Sequence, residues 1–354
     1  MILTIIGARP QFVKAAVVSK ALKEIGIEEE IIHTGQHYDD KMSSVFWDEL
    51  NIPKPVINLN IGSGNHGFQT AKMIEQIETF ILNSKNKIKA ILLYGDTNST
   101  LAGAIVAPKL HIPVIHIEAG LRSFNNKMPE EINRIITDRV SDLLFCSSEK
   151  SVLQLKSEGI IQNVYNVGDV MYDAFINFGE IAKAKIKLSD IHKFKKNEYN
   201  ILTLHRPSNT DENDVLQQII SVFEKINKPT IFPVHPRVSR KIKKMNISDN
   251  LKLISPLSYF EMLILLQNAN KIFTDSGGLQ KEAYWANKDC ITIREETEWI
   301  ETLENDFNIL TGNNSDRIID AYYKKNIKQR TNLYGDGKAS EKIVKIIKQK
   351  YFYD

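Results

Sequence analysis

Short apolar runs alternate with amphipathic stretches from one end of the chain to the other, the pattern of βα units that feed a parallel sheet. In the first half the runs at 3–6, 30–33, 90–93, 114–117 and 143–146 predict strands buried on both faces, because most of each run is apolar rather than alternating. In the second half the runs at 201–204, 230–234, 251–254, 271–274 and 290–293 repeat the rhythm, with helical patterns between them. Phe12, Ala15, Ala16, Leu22 and Ile25 recur at helical spacing, with Pro10 just before and Gly26 just after, where a start and a stop belong. Another helix is predicted to open at Pro129-Glu130-Glu131, with acids in its first turn to complement the helix dipole. A final amphipathic helix, residues 340–351, can pack back onto either half.

Length turns this rhythm into two domains. A chain of 354 residues is longer than one core serves, since cores stop growing at roughly 250–300 residues. The segment Asn166-Val167-Gly168-Asp169 is the expected crossing, which divides the chain into 1–168 and 169–339. Composition is that of an ordinary globular protein, 42% hydrophobic and 25% charged. Lys+Arg less Asp+Glu is 46 − 43 = +3, too small a surplus to indicate a nucleic-acid partner. Cys146 and Cys290 stand far apart without CxxC spacing, which fits a reducing cytoplasm rather than a disulfide framework or thiolate zinc site. The apolar N-terminus is short and lacks a basic flank, so it reads as a first strand and not a signal peptide. No run approaches the ~18 apolar residues of a membrane span. The expectation is a cytoplasmic protein without a membrane partner.

Ligands of doubly wound sheets bind beyond the carboxyl ends of the strands, so the polar residues that follow each run are the candidates. After the run at 271–274 come Asp275, Ser276, Gly277 and Gly278, then a helical pattern containing Glu282. Small residues let backbone approach a ligand, exposed N–H groups at a helix start take phosphate, and Glu282 can accept from ribose hydroxyls. A plain capped βα turn explains the same residues equally well. His205-Arg206 follows the run at 201–204, and His235 follows the run at 230–234. An arginine there offers a bidentate grip on phosphate.

The first half supplies acids at equivalent places. Asp96 follows Gly95 after one run, and Glu118 follows the next. Glu130 and Arg134 are one helical turn apart, and Arg9 and Lys14 lie close after the first run. Carboxylates among cations suit proton transfer beside a diphosphate leaving group. Taken singly, each has a bland reading: a surface ion pair for Glu130 and Arg134, an N-cap for Asp96. Gly62-Ser63-Gly64-Asn65-His66-Gly67 matches the dinucleotide fingerprint, but it follows an alternating segment and reads as a flexible loop. No motif calls for a metal or a cofactor.

Gly7-Ala8-Arg9-Pro10, Thr34-Gly35-Gln36-His37, Gly95-Asp96-Thr97, His116-Ile117-Glu118-Ala119-Gly120-Leu121-Arg122, Pro129-Glu130-Glu131-Ile132-Asn133-Arg134, His205-Arg206, Pro233-Val234-His235 and Thr274-Asp275-Ser276-Gly277-Gly278-Leu279-Gln280 occur in one order. In that order they resemble the non-hydrolysing UDP-N-acetylglucosamine 2-epimerases, over residues 1 to about 310. The resemblance implies two Rossmann-like domains of glycosyltransferase-B (GT-B) type, with the C-terminal helix 340–354 returning to the first. It implies a homodimer that takes a UDP-sugar and serves surface polysaccharide synthesis. It also implies a mechanism, in which UDP leaves C1 as the C2 proton is removed, giving 2-acetamidoglucal, and adds back after reprotonation of C2. Asp96, Glu118 and Glu130 would then transfer protons with Arg134 in support, and His205 would stabilise the departing diphosphate. Ser276, Gly277, Gly278 and Glu282 would hold UDP, helped by Arg9 and Lys14.

The chain departs from the family pattern at Ser208, where a Glu is usual, and at Thr297-Glu298-Trp299-Ile300-Glu301, where many members read Thr-Glu-Arg-Pro-Glu. Trp299, with Ala8 and Gln11, resembles the subgroup that epimerises UDP-2,3-diacetamido-glucuronate. Residues 34–37 only partly resemble the regulatory site of substrate-activated members. A GT-B glycosyltransferase and a non-catalytic nucleotide-sugar sensor are the competing classes. Neither accounts for the acids of the first half.

Overall fold

The computed structural model describes residues 1–36, 47, 49–325 and 331–353. Two compact units form, Met1–Ala174 with Asn332–Asp354, and Phe175–Thr331. In the first, the described strands are β1 (Ile2–Ile6), β2 (Glu29–His33), β3 (Ile57–Asn58), β4 (Ala90–Tyr94), β5 (Val114–Ala119), β6 (Leu143–Cys146) and β7 (Val164–Asn166). All pair in parallel, in the order β3-β2-β1-β4-β5-β6-β7. In the second they are β8 (Asn200–Thr203), β9 (Thr230–Pro233), β10 (Leu251–Ile254), β11 (Lys271–Thr274), β12 (Asp289–Thr292) and β13 (Asn308–Leu310), in the order β10-β9-β8-β11-β12-β13. Both orders reverse direction beside the unit's first strand, so each sheet has a switch point, between β1 and β4 and between β8 and β11. These are two Rossmann-like units of GT-B type, the fold class expected.

Helices on the faces explain the apolar runs. Every residue of β1, β4 and β5 is buried. The edge strands β3, β7 and β13 escaped prediction because they are two or three residues long, too short for an apolar run. The helix Arg9–Glu24 begins with Pro10 in its first turn, as the pattern implied. The segment 62–67 is not a loop throughout: His66 and Gly67 open the helix Asn83 closes, and Gln69 Nε2 donates to the Gly62 carbonyl at 2.6 Å.

The C-terminal helix Ala339–Tyr351 packs along the helix Arg9–Glu24, burying Ile343, Val344 and Ile347. Residues 169–174 and 332–339, which the sequence grouped with the second domain, lie with the first unit. The reason is local. Asp169 N–H donates to the Tyr334 carbonyl at 2.9 Å. The Asp173 carboxylate accepts from Ala339 N at 3.0 Å, Ser340 N at 2.7 Å and Ser340 Oγ at 2.6 Å, which caps the returning helix from outside. Among the described residues no helix is long and apolar enough to cross a membrane. His37 and Asp354 lie outside the described residues.

Candidate active site

Beyond the carboxyl ends of β1, β4 and β5, the first unit gathers its charges. Gln11, in the first turn after β1, accepts from Gly7 N at 2.8 Å and Ala8 N at 3.1 Å. Its amide donates to the Tyr94 carbonyl at 2.9 Å, which ties the β1 turn to the end of β4. Lys14 and Glu118, both buried, form an ion pair. Glu118, next to last in β5, sits at a register shift, with φ of +73°, a backbone state disfavoured outside glycine. Such strain persists where the surroundings hold a side chain to a required direction. Gly95 faces the pair, with φ of +62°, and a Cβ there would lie 3.1 Å from Glu118 Oε2 and 3.4 Å from Lys14 Nζ.

Asp96 follows, its side chain 32% exposed, and accepts from Arg134 at 2.6 Å. Burial pushes its carboxyl above the ordinary value, against the pull of Arg134, and Glu118 adds to the rise. Asp96 is not the N-cap of the helix Asn98–Lys109, because Thr97 fills that place. Arg134 also donates to Glu131 at 2.8 Å, and that buried carboxylate accepts from Ser123 N and Phe124 N, each at 2.9 Å. Glu130 stands exposed in the first turn of the helix Pro129–Val140. The pairing of Glu130 with Arg134 that helical spacing suggested is therefore taken by Glu131. Behind this cluster His116 bridges Asp138 Oδ1 and the Gly95 carbonyl, each 2.7 Å from a ring nitrogen, and Arg122 reaches the same Asp138 at 2.7 Å.

The second unit gathers donors at its own switch point. Asp275, fully buried beyond β11, accepts from His205 N at 3.0 Å, Arg206 N at 2.9 Å and Asn209 Nδ2 at 3.2 Å. Its other oxygen lies 2.9 Å from His205 Nδ1. Burial alone would raise this carboxyl, but the hydrogen bond and charge of His205 and the two amides together hold it below the usual range. His205 keeps 44% of its side chain exposed. His235 is exposed as well, its ring centroid 6.2 Å from that of His205. Arg206 Nε donates to the Asp275 carbonyl at 3.0 Å. Ser276 caps the helix Gly277–Trp285, its hydroxyl accepting from Leu279 N at 3.4 Å. Gly278 is exposed, with open space where a Cβ would stand. Glu282 is buried on that helix, and Arg9 is partly buried at the start of its own.

The sequence model of the family described as UDP-N-acetylglucosamine 2-epimerase matches residues 20–348. The chain belongs to that family. It is 49% identical to a UDP-N-acetylglucosamine 2-epimerase homolog of Methanococcus maripaludis, over 98% of this chain and 99% of that one. It is 45% identical, over the same shares, to the UDP-2,3-diacetamido-2,3-dideoxy-D-glucuronate 2-epimerase of Pseudomonas aeruginosa. Among solved structures it resembles the Methanocaldococcus jannaschii UDP-GlcNAc 2-epimerase in complex with UDP-GlcNAc and UDP, with a TM-score of 0.89 and 41% identity, covering 99% of this chain and all of that one.

This epimerase is thus an isomerase, and each unit gathers candidate residues of its own. Lys14, Asp96, Glu118 and Arg134 come together in the first unit, while His205, Arg206, Ser276 and Gly277 gather around Asp275 in the second. Residue patterns missed the groups that hold these in place: Gln11, Asn209, Glu131 and Asp275. Asp275 stood inside a quoted motif, and its signal was its place directly after a buried strand. Glu131 was one of two adjacent acids, and nothing in the pattern chose between them.

Proposed function

We propose that this epimerase inverts C2 of UDP-N-acetylglucosamine to give UDP-N-acetylmannosamine without releasing free sugar, for surface polysaccharide synthesis. The observation that carries the reading is the set Lys14–Glu118 and Arg134–Asp96 around Gly95: buried and half-buried carboxylates among cations at a Rossmann switch point. Its support from the second unit is a helix start with exposed glycine beside His205 and Arg206, which suits a diphosphate.

A C2–H with no adjacent carbonyl is hard to ionise, so its loss goes with loss of the leaving group. A carboxylate of the Asp96, Glu118 and Glu130 set takes the C2 proton. The C–H electron pair forms the C1=C2 double bond, and the C1–O bond breaks with its electrons leaving on UDP. His205 and Arg206 take up the charge that develops on the diphosphate, with Ser276, Gly277 and Gly278. Protonation of C2 on the opposite face and return of UDP to C1 complete the inversion. The raised carboxyl of Asp96 favours the protonated form, which suits a group that must also give a proton back. Arg9, Lys14, His235 and Glu282 hold the substrate.

A second reading, inversion of UDP-2,3-diacetamido-2,3-dideoxy-glucuronate to the mannuronate, is favoured by Trp299 and by the 45% identity to the enzyme of that name. Proton NMR in deuterated water, first with UDP-N-acetylglucosamine and then with the diacetamido uronate, separates the two. Deuterium at C2 with a manno product and no accumulation of UDP is expected for the true substrate. Binding of UDP without exchange at C2 of either sugar would falsify the epimerase assignment and favour a transferase or a sensor. Accumulation of free N-acetylmannosamine and UDP would mark a hydrolysing enzyme, in which water reaches the intermediate.

A further inference from the structure

We propose that Lys281 is a positioning residue, which sets the nucleotide-binding edge of the second unit by clamping the ring of Trp299. The proposal rests on the reading that the start of the helix Gly277–Trp285 takes the diphosphate of a UDP-sugar. Lys281 lies one turn into that helix and is 1% exposed. A buried ammonium is unfavourable unless its surroundings compensate it. Part of that compensation is aromatic: its Nζ sits 3.6 Å from the ring centroid of Trp299 and 5.7 Å from that of Trp285. Indole is the ring with the strongest attraction for a cation, and both distances fall inside the ~6 Å range of the interaction.

What the clamp holds is the segment that runs past the helix start. Gln280, next to Lys281, accepts from Thr297 Oγ1 at 2.7 Å and from Asn308 Nδ2 at 2.9 Å. Trp299 N donates to Thr297 Oγ1 at 3.1 Å, and Thr302 Oγ1 donates to the Trp299 carbonyl at 2.7 Å. Between Thr297 and Trp299 is Glu298, which Arg294 grips at 2.9 Å. A Cβ on Gly277 would lie 2.5 Å from Glu298 Oε1 and 3.4 Å from Trp299 Nε1. The clamp therefore decides where a carboxylate stands relative to the N–H groups at the helix start. Held in place, Glu298 stands beside Gly277 in the grip of Arg294, and the edge that a diphosphate would meet is fixed. Released, the segment no longer fixes that carboxylate, and the N–H groups at the helix start lose their ordered surroundings.

Calorimetric titration with UDP tests this on the full chain. Lys281→Met is expected to weaken UDP about tenfold, whereas Lys281→Arg, which keeps both charge and ring contact, stays within about twofold. Because Lys281 acts through Trp299, the loss in the double variant with Trp299→Leu should equal that of the stronger single variant rather than their sum. A merely structural lysine would lower the melting temperature and leave UDP affinity alone. Equal UDP affinity in wild type and K281M, or additive losses in the double variant, overturns the proposal. If K281M does not fold, Trp299→Phe decides, with weaker UDP binding expected and unchanged binding overturning it. A wild-type chain that does not bind UDP removes the reading on which the proposal stands.

Discussion

Asp96 and Asp275 occupy the same place in two sheets of like order, just beyond the strand that pairs with the unit's first strand across the switch point. Their chemistry is opposite. Asp96 is partly exposed, and burial wins over Arg134, so its carboxyl is pushed up. Asp275 is fully buried, yet the amides of His205 and Arg206 and the imidazole of His205 push its carboxyl down. Burial alone does not set the direction, since it pushes both carboxyls up and only that of Asp96 ends raised. What decides is how many donors converge on the charge. Asp275 thereby shapes the His205–Arg206 turn, accepting from both backbone amides.

Substituting the first acid should give the largest effect. Asp96→Asn is expected to lower turnover by about a thousandfold with UDP affinity retained, as measured by coupled assay and calorimetry; undiminished turnover would reverse the roles drawn above. In the second unit, Asp275→Asn leaves the His205 ring without its anion and should reduce unfolding free energy by about 3 kcal/mol, seen in urea titration. The sign with pH follows. Because the folded-state carboxyl is depressed, its stabilisation is present above the ordinary carboxylate range and disappears as pH falls through the lowered value. The variant should lack that acid-dependent loss.

Arg134→Met removes the main cation that lowers Asp96, so the acid limb of the kcat/KM profile should move to higher pH, with a roughly hundredfold loss in kcat/KM. A limb that stays put would mean that another group titrates. The stability sign for Asp96 is the reverse of that for Asp275: a raised folded-state value contributes stability at low pH that fades as pH rises through it. The smallest effect is expected at Gly95→Ala, where a positive φ and contact with Glu118 Oε2 should cost about 1 kcal/mol, a shift of a few degrees in melting temperature. An unchanged melting temperature would show that the turn before Asp96 accommodates a side chain.

The interior strands β1, β4 and β5 were legible because every residue of theirs is buried, and such strands must be apolar; β6 and β11 match the runs at 143–146 and 271–274 residue for residue. Of the edge strands, β10 matches the run at 251–254, whereas β3, β7 and β13, two or three residues long, offered no run to read. In the site, residue order showed which strand ends carry acids and cations, and so brought Asp96, Glu118, His205 and Ser276 into view. It left the choice of partner open. Glu130 and Glu131 both lie within a turn of Arg134, and Glu131 is selected because the chain at 123–124 folds back to donate to it.

Sequence by itself thus determined the two Rossmann-like units and the residues beyond most strands, because periodicity and burial are local properties of a run, whereas strand order and switch points came from the sheets. Tertiary structure decided which of those residues meet, that Glu118 sits strained at a bulge against Lys14, and that Lys281 is buried on Trp299 instead of lying in solvent. The physical reason is range. Electrostatic and hydrogen-bond partners act over a few ångströms in space, and folding brings to that distance groups far apart in the chain, such as Lys14 and Glu118 or His205 and Asp275.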